Sequence, residues 1–357
     1  MRKIERLTLR RLALPLVRPY RLSYRTFHVF EPFVVEIETD DGAQAFGDGH
    51  ISPGSSEETR EAGWSFLTRH LAELPGRSVA TARARMLACL GDSKVAATAC
   101  LTAIDVLEAH PMLDIHDDVT LPLLTPIGAT EHAEIVDEVE SALSAGFKTL
   151  KVKVGKDLEA DLKRLSWIQE ATGGQAVLRV DANRAYSRGD AIAFATLADP
   201  TGIELFEQPC DAGDWDANAA VAAASRLPIM LDEPICALAD IARAATIPGV
   251  AFCKVKLKRF GNIDNLVAAI DHITANGMVA VLGDGLGSEI HSWLEACVAA
   301  QRIDNAGEFN GFLKPHQRLL ENELKVINGA IHLPKGFAGK VDRGKLDAVT
   351  EDIVKFH

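Results

Sequence analysis

From residue 120 onward the chain repeats one rhythm, and that rhythm restricts its fold more than any other feature. Eight short apolar runs have midpoints roughly 25–29 residues apart: TLPLLTPI (120–127), KTLKVKV (148–154), AVLRVDAN (176–183), IELFEQP (203–209), PIMLDEP (228–234), AFCKVKLK (251–258), MVAVLGD (278–284) and NAGEFNGF (305–312). That spacing is one strand, one helix and two short loops. The stretches between them, such as EHAEIVDEVESALSAG (131–146) and NIDNLVAAIDHITANG (262–277), carry helical periodicity. Several open on Asp or Asn and close on Gly, the residues that cap helix ends. Strands alternating with helices require a parallel sheet, and eight such units fit a TIM-type barrel. No GxGxxG or Walker A sequence follows any run, so a doubly wound nucleotide-binding sheet would lack its phosphate loop.

The first 119 residues have a different texture. Residues 4–17 and 32–49 read as strands, with FVVEIETDDGAQAFGDG a hairpin turning at Asp41-Gly42, and 57–109 reads as two or more helices. The expected organisation is an N-terminal α+β capping domain over 1–119, a barrel over 120–322, and a C-terminal segment over 323–357. In that last segment LKVINGAIHLP forms a hairpin turning at Asn328-Gly329 and packs back on the cap. The net charge of −12 argues against a nucleic-acid partner or an anionic membrane surface. No apolar stretch is long enough to span a bilayer, and the N-terminus lacks the apolar core of a signal peptide. Six scattered cysteines without a CxxC pair read as reduced thiols. The expectation is a soluble, cytoplasmic protein acting on a small molecule.

In a barrel, alternate residues of each strand face inward and the last inward residues build the active site. The second run ends in Lys151 and Lys153, the third in Asp181 and Asn183, the fourth in Glu207 and the fifth in Asp232; the sixth carries Lys254, Lys256 and Lys258 at one parity. Asp181, Glu207 and Asp232 are spaced 26 and 25 residues apart, the strand repeat itself, so they occupy one level on adjacent strands. Three converging carboxylates repel unless a cation lies between them. Oxygen ligands favour Mg²⁺ or Mn²⁺ over zinc.

These motifs, LKVKVG (150–155), RVDAN (179–183), FEQP (206–209), LDEP (231–234) and VKLKRFG (255–261), resemble in order those of the enolase superfamily, specifically the muconate lactonizing enzyme subgroup of its mandelate racemase/muconate lactonizing enzyme family. The resemblance covers nearly the whole chain. It implies a modified (β/α)7β barrel under the capping domain, Mg²⁺ on Asp181, Glu207 and Asp232, Lys153 and Lys256 as acid/base groups on opposite faces of the substrate, and Lys151 holding the substrate carboxylate and lowering the pKa of Lys153. It also implies a homo-oligomer. Asp-Glu-Pro stands where the subgroup often has Asp-Glu-Ser, and Glu308 where many dipeptide epimerases carry Asp-x-Asp. The seventh run ends in Gly283-Asp284-Gly285 rather than the His of the mandelate racemase branch, and His291, seven residues on, reads as structural.

The chemistry explains the residue types. A proton beside a carboxylate is very weakly acidic, because its removal places a second negative charge on one group. A divalent cation stabilises the resulting enediolate, and a lysine base must be neutral, which a neighbouring cation favours. The expected reaction is α-proton abstraction from a small carboxylic acid, leading to cycloisomerisation, racemisation or epimerisation. The alternatives are a dehydratase using the same half-reaction and a noncatalytic structural barrel. Substrate contacts are expected from Lys151, Asn183, Asp284 and Glu308 in the barrel. From the cap they are expected from Tyr20, Arg21, Tyr24 and Arg25 in one loop and from His50, Ser52 and Ser55 in another.

Overall fold

The computed structural model describes residues 2–21, 25–52 and 58–357. Tyr24 and Ser55 lie outside the described residues. The chain opens with five strands, β1 (Ile4–Leu12), β2 (Leu14–Arg21), β3 (Thr26–Phe30), β4 (Phe33–Thr39) and β5 (Gln44–Gly49). β1, β4 and β5 form an antiparallel sheet, and β2 pairs with β3 as a separate hairpin. Gly42 at φ 81° makes the turn between β4 and β5 that the Asp-Gly pair predicts. Helices Arg60–Leu71, Val79–Ala88 and Lys94–Leu107 cover one face. The last is almost wholly buried and rich in Ala and Thr. It lies so close to β5 that a Cβ at Gly47 would stand 2.3 Å from the Ala103 nitrogen.

The barrel strands follow. β6 (Val119–Pro122) and β7 (Leu124–Ile127) divide the run expected as a single strand. β8 (Thr149–Lys153), β9 (Val177–Asp181), β10 (Ile203–Glu207), β11 (Ile229–Leu231), β12 (Val250–Val255) and β13 (Val279–Leu282) then alternate with helices. β7 to β13 pair in sequence order as one parallel sheet. The eighth run is not a strand. Two residues close the barrel: Gly307 exchanges backbone hydrogen bonds with Pro122 and Leu124 (2.9 and 3.1 Å), and Glu308 N–H donates to the Leu282 carbonyl (2.9 Å). A sharp turn at Asn310 to Leu313 ends it before a longer ladder can form. The sixth strand also stops short of the 251–258 run. It ends at Val255, and Leu257–Phe260 is a single helical turn, so Lys258 stands on a helix rather than in the strand's alternation.

β14 (Lys325–Ile327) and β15 (Ala330–Leu333) form the hairpin turning at Asn328-Gly329. It pairs with β6 rather than with the N-terminal sheet. β16 (Thr350–Phe356) instead pairs with β1 and ties the chain's end to its beginning. The barrel interior is apolar only in a thin layer of Leu205, Met230 and Val281, with Phe252 against it. Arg179, opposite Lys151 in the ladder, is buried and turned to Glu204 (2.6 Å), the Ala306 carbonyl (2.6 Å) and Asn305. Among the described residues no helix is long and apolar enough to cross a membrane.

Barrel closure requires Gly283. Its φ is 126°, and a Cβ there would lie 2.3 Å from the Phe309 nitrogen and 2.7 Å from the Glu308 carbonyl carbon. Backbone strain and overpacking together cost about 3 kcal/mol. Gly283→Ala is expected to lower unfolding stability by about that much, read from the urea midpoint; a loss below about 1 kcal/mol would mean the closing segment yields.

Candidate active site

Period-2 alternation sends Lys151 and Lys153 of β8 inward. The ladder sets Lys153 opposite Asp181, and Asp181 opposite Glu207. Lys151 Nζ stands 2.8 Å from Asp181 Oδ2, 2.9 Å from Glu207 Oε2 and 2.9 Å from Glu308 Oε2. Lys153 Nζ meets Asp181 and donates to Asn183 Oδ1 at 2.6 Å. Across the barrel mouth, Lys256 Nζ is 3.0 Å from Asp232 Oδ2, and Arg259 Nη1 is 2.8 Å from Asp232 Oδ1. Lys254 pairs with Glu308, and Lys258 with Asp284. A cavity of about 40 Å³ is lined by Tyr20, Lys151, Lys153, Asn183, Asp232, Lys256, Asp284 and Glu308 from the predicted set, and by Glu233, Lys258, Gly285 and Leu286 as well. A larger groove of about 830 Å³ between Ile270 and Asn305 holds none of the predicted residues.

Burial and charge set the protonation states. Burial alone would lower the pKa of Lys151, but Asp181, Glu207 and Glu308 outweigh it and hold the ammonium well above the usual lysine range. Burial and Arg259 likewise pull Lys256 down, and Asp232, Asp284 and Glu233 raise it further than they pull. Glu207 is raised by burial and by the charge of Asp181. Glu233 is pushed up to about 7 by burial and by Asp232.

The donor set suits a hard divalent cation. Asp181, Glu207 and Asp232 are buried. Neither Glu207 oxygen and not Asp232 Oδ1 accepts a hydrogen bond, although Lys151 and Arg259 approach them as ion partners. Carboxylates whose lone pairs lack hydrogen-bond donors are ready ligands for Mg²⁺. Among the described residues no three acidic, histidine or cysteine side chains stand in a ligating arrangement. The ammonium of Lys151 lies between Asp181 and Glu207 and takes up their charge.

Some predicted residues are placed differently from expectation. His50 offers its carbonyl to Lys258 (3.4 Å), while its ring packs on Phe27 and Phe30. Burial and Lys258 lower its pKa to about 3, so it stays neutral. Arg21 ends β2; Arg25 is exposed and stacks on Phe27. Sequence reasoning passed over Gln208, whose Oε1 accepts the Asp232 N–H (2.9 Å) and fixes the backbone of that carboxylate residue. Its place directly after Glu207 was the available signal. Arg259 and Glu233 were also missed, because each faces the site only through the turn its strand makes on leaving the barrel.

A family model described as enolase C-terminal domain-like matches residues 134–338. An L-Lys-D/L-Arg epimerase of Methylococcus capsulatus is 31% identical over 328 residues, covering 86% of this chain and 91% of that protein. The chain belongs to the enolase superfamily, in its mandelate racemase and muconate lactonizing enzyme subgroup. Two solved structures agree in fold. Muconate lactonizing enzyme from Pseudomonas fluorescens superposes with a TM-score of 0.89 at 20% identity, covering 98% of this chain and 99% of that one. The dipeptide epimerase of Methylococcus capsulatus, complexed with Mg and the dipeptide L-Arg-D-Lys, gives 0.83 at 26% identity, covering 94% and 98%. The protein is thus an enolase-superfamily isomerase.

In this isomerase the cap and the barrel share a buried histidine. His291 Nδ1 lies 3.1 Å from Asp48 Oδ1, and its Nε2 lies 3.5 Å from Glu295 Oε1. Burial would lower its pKa, but both carboxylates raise it to about 10. A folded-state pKa above the unfolded value of about 6.5 gives stability that is fully present below pH 6.5 and lost as pH rises through 10. The stability difference between wild type and His291→Gln is therefore expected to be largest near pH 6 and to shrink steadily towards pH 10 in denaturant titrations. A pH-independent difference would show that the histidine is neutral.

Proposed function

We propose that the protein racemises or epimerises an amino-acid derivative that carries a free carboxylate, with Mg²⁺ held by Asp181, Glu207 and Asp232. The observation that carries the reading is the disposition of two lysines. Lys153, on β8, contacts Asp181, and Lys256, just beyond β12, contacts Asp232 on the other side of the mouth, with Glu207 between them in strand order. When bound, the cation supplies the positive charge that offsets the doubled negative charge on a deprotonated substrate carboxylate. Lys153 and Lys256 then face opposite sides of the α-carbon. One takes the proton as the neutral amine and the other returns a proton from its ammonium. Asn183 orients Lys153 through its amide oxygen, and Arg259 and Gln208 fix Asp232. Lys151 stays charged and faces the substrate carboxylate. A dipeptide epimerase crystallised with Mg, and relatives named as epimerases, support the cation and the outcome. The cavity wall is charged apart from Tyr20, Asn183, Gly285 and Leu286, which favours a polar substituent over an apolar one. The unpaired thiols of all six cysteines support a reducing, cytoplasmic location.

A panel of dipeptides, N-acyl amino acids, acid sugars and muconates, incubated with Mg²⁺ in D₂O and followed by NMR, tests the reading. Deuterium entry at the α-carbon of amino-acid derivatives is expected. Exchange confined to acid sugars, with loss of water, would instead identify a dehydratase. For the best substrate, Lys153→Ala should stop exchange from one enantiomer and Lys256→Ala from the other, each by about 10²–10⁴-fold; wild-type rates in both variants would defeat the two-lysine mechanism. Glu207→Gln should weaken Mg²⁺ binding in calorimetry by at least about tenfold, and an unchanged affinity would remove the metal assignment.

A further inference from the structure

Glu295, wholly buried on helix Glu289–Arg302, stands outside the cavity wall. Each of its oxygens takes one backbone N–H: Oε1 from Leu257 at 2.9 Å and Oε2 from Asp284 at 3.1 Å. Leu257 directly follows Lys256, and Asp284 directly follows Gly283. The ladder between β12 and β13 ends at Val255 opposite Leu282, so Lys256 lies just beyond the sheet. A single carboxylate therefore joins the two strand ends where the ladder no longer does. Lys153 is placed otherwise, as the last residue of β8, still paired with Asp181 in β9.

The clamp is anchored in the cap. His291, one turn before Glu295, bridges it to Asp48 of β5, whose other oxygen accepts from Ser288 Oγ. The four side chains are all buried.

We propose that Glu295 is the positioning residue for Lys256, and that Asp48 of the cap governs it through His291. The proposal rests on the reading of Lys256 as one of two proton-transfer groups. A lysine amine is carried on a long flexible stem, so its aim depends on where its backbone is fixed, and a displacement of about 1 Å costs about 10²-fold in rate. The consequence is one-sided. The face served by Lys256 depends on the cap through Glu295, and the face served by Lys153 does not.

In Glu295→Gln one of the two N–H groups loses its acceptor and meets an amide NH₂. With the fastest-exchanging acid of the D₂O panel as probe, kcat for exchange on the Lys256 face is expected to fall about 10²-fold while KM stays within threefold, and exchange on the Lys153 face stays within threefold of wild type. Asp48→Asn, the milder variant, should act in the same direction by about tenfold. An equal loss on both faces, or none on either, would overturn the proposal. A substrate-free arm separates its failure from that of the functional reading. In amide hydrogen exchange, Leu257 and Asp284 should be protected in the wild type and exchange at least tenfold faster in Glu295→Gln, while Val154 and Ala182, which directly follow β8 and β9 and donate to the Asp181 and Glu207 carbonyls, keep their protection. Unchanged protection of Leu257 and Asp284 defeats the clamp whatever the panel gives.

Discussion

The open end of the barrel depends on an ionised lysine out of reach of water. Lys151 is about 3% exposed and has three carboxylates within 3 Å. Each charge there loses several kcal/mol of hydration, and only close partners offset the loss. Removing any one of them would leave an uncompensated buried charge. This explains why Glu308, brought in by the two-residue segment that closes the barrel, is tied to both Lys151 and Lys254. The same residue completes the backbone closure through Leu282 and the charge compensation through its side chain. Closure of the fold and assembly of the site are thus one event.

The strand ends that carry the carboxylates are held in costly backbone conformations. Asn183, Arg184 and Gln208 have φ values of 42°, 68° and 40°, in the left-handed region that costs non-glycine residues about 1–3 kcal/mol each. They are pinned to one another. Arg184 N–H donates to the Gln208 carbonyl, Gln208 N–H to Met230, and the Gln208 side chain spans Asp232 and Cys210. The strain turns β9 and β10 sharply after Asp181 and Glu207, so these carboxylates project inward while the chain leaves outward, and Asp232 is held beside them by its N–H to Gln208.

The cap takes part in the barrel mouth. Its buried helix Lys94–Leu107 rests on the turn after Lys256, with Thr98 accepted by the Lys258 carbonyl and Asp105 accepting the Ile263 N–H. His50 and Asp48 reach Lys258 and His291. Buried ionic contacts of this kind lose their hydration whether or not substrate is bound, so they fix the two units in register rather than simply gluing them together.

The repeat of apolar runs determined the parallel barrel, because the period of strand, helix and loops leaves few other ways to bury eight apolar segments. The matched spacing of Asp181, Glu207 and Asp232, and the inward parity of Lys151 and Lys153, were legible for the same reason: within a strand, alternation fixes direction. Legibility stops where the strands stop. The sixth strand ends at Val255, three residues before Lys258, so alternation places Lys254, whereas Lys258 is placed by a helical turn and Lys256 lies at the junction that Glu295 holds. The eighth run holds Asn305 and Glu308 in a segment too short to be a strand. The hairpin at Asn328-Gly329 was readable as a hairpin, but its choice of β6 over the N-terminal sheet was not, since pairing between distant segments is decided by which edge the packed structure leaves open. Local pattern thus determined the elements and the charges they carry, and tertiary structure alone decided which charges meet, because those contacts join residues as distant as Asp48 and His291, 243 positions apart, that no local periodicity relates.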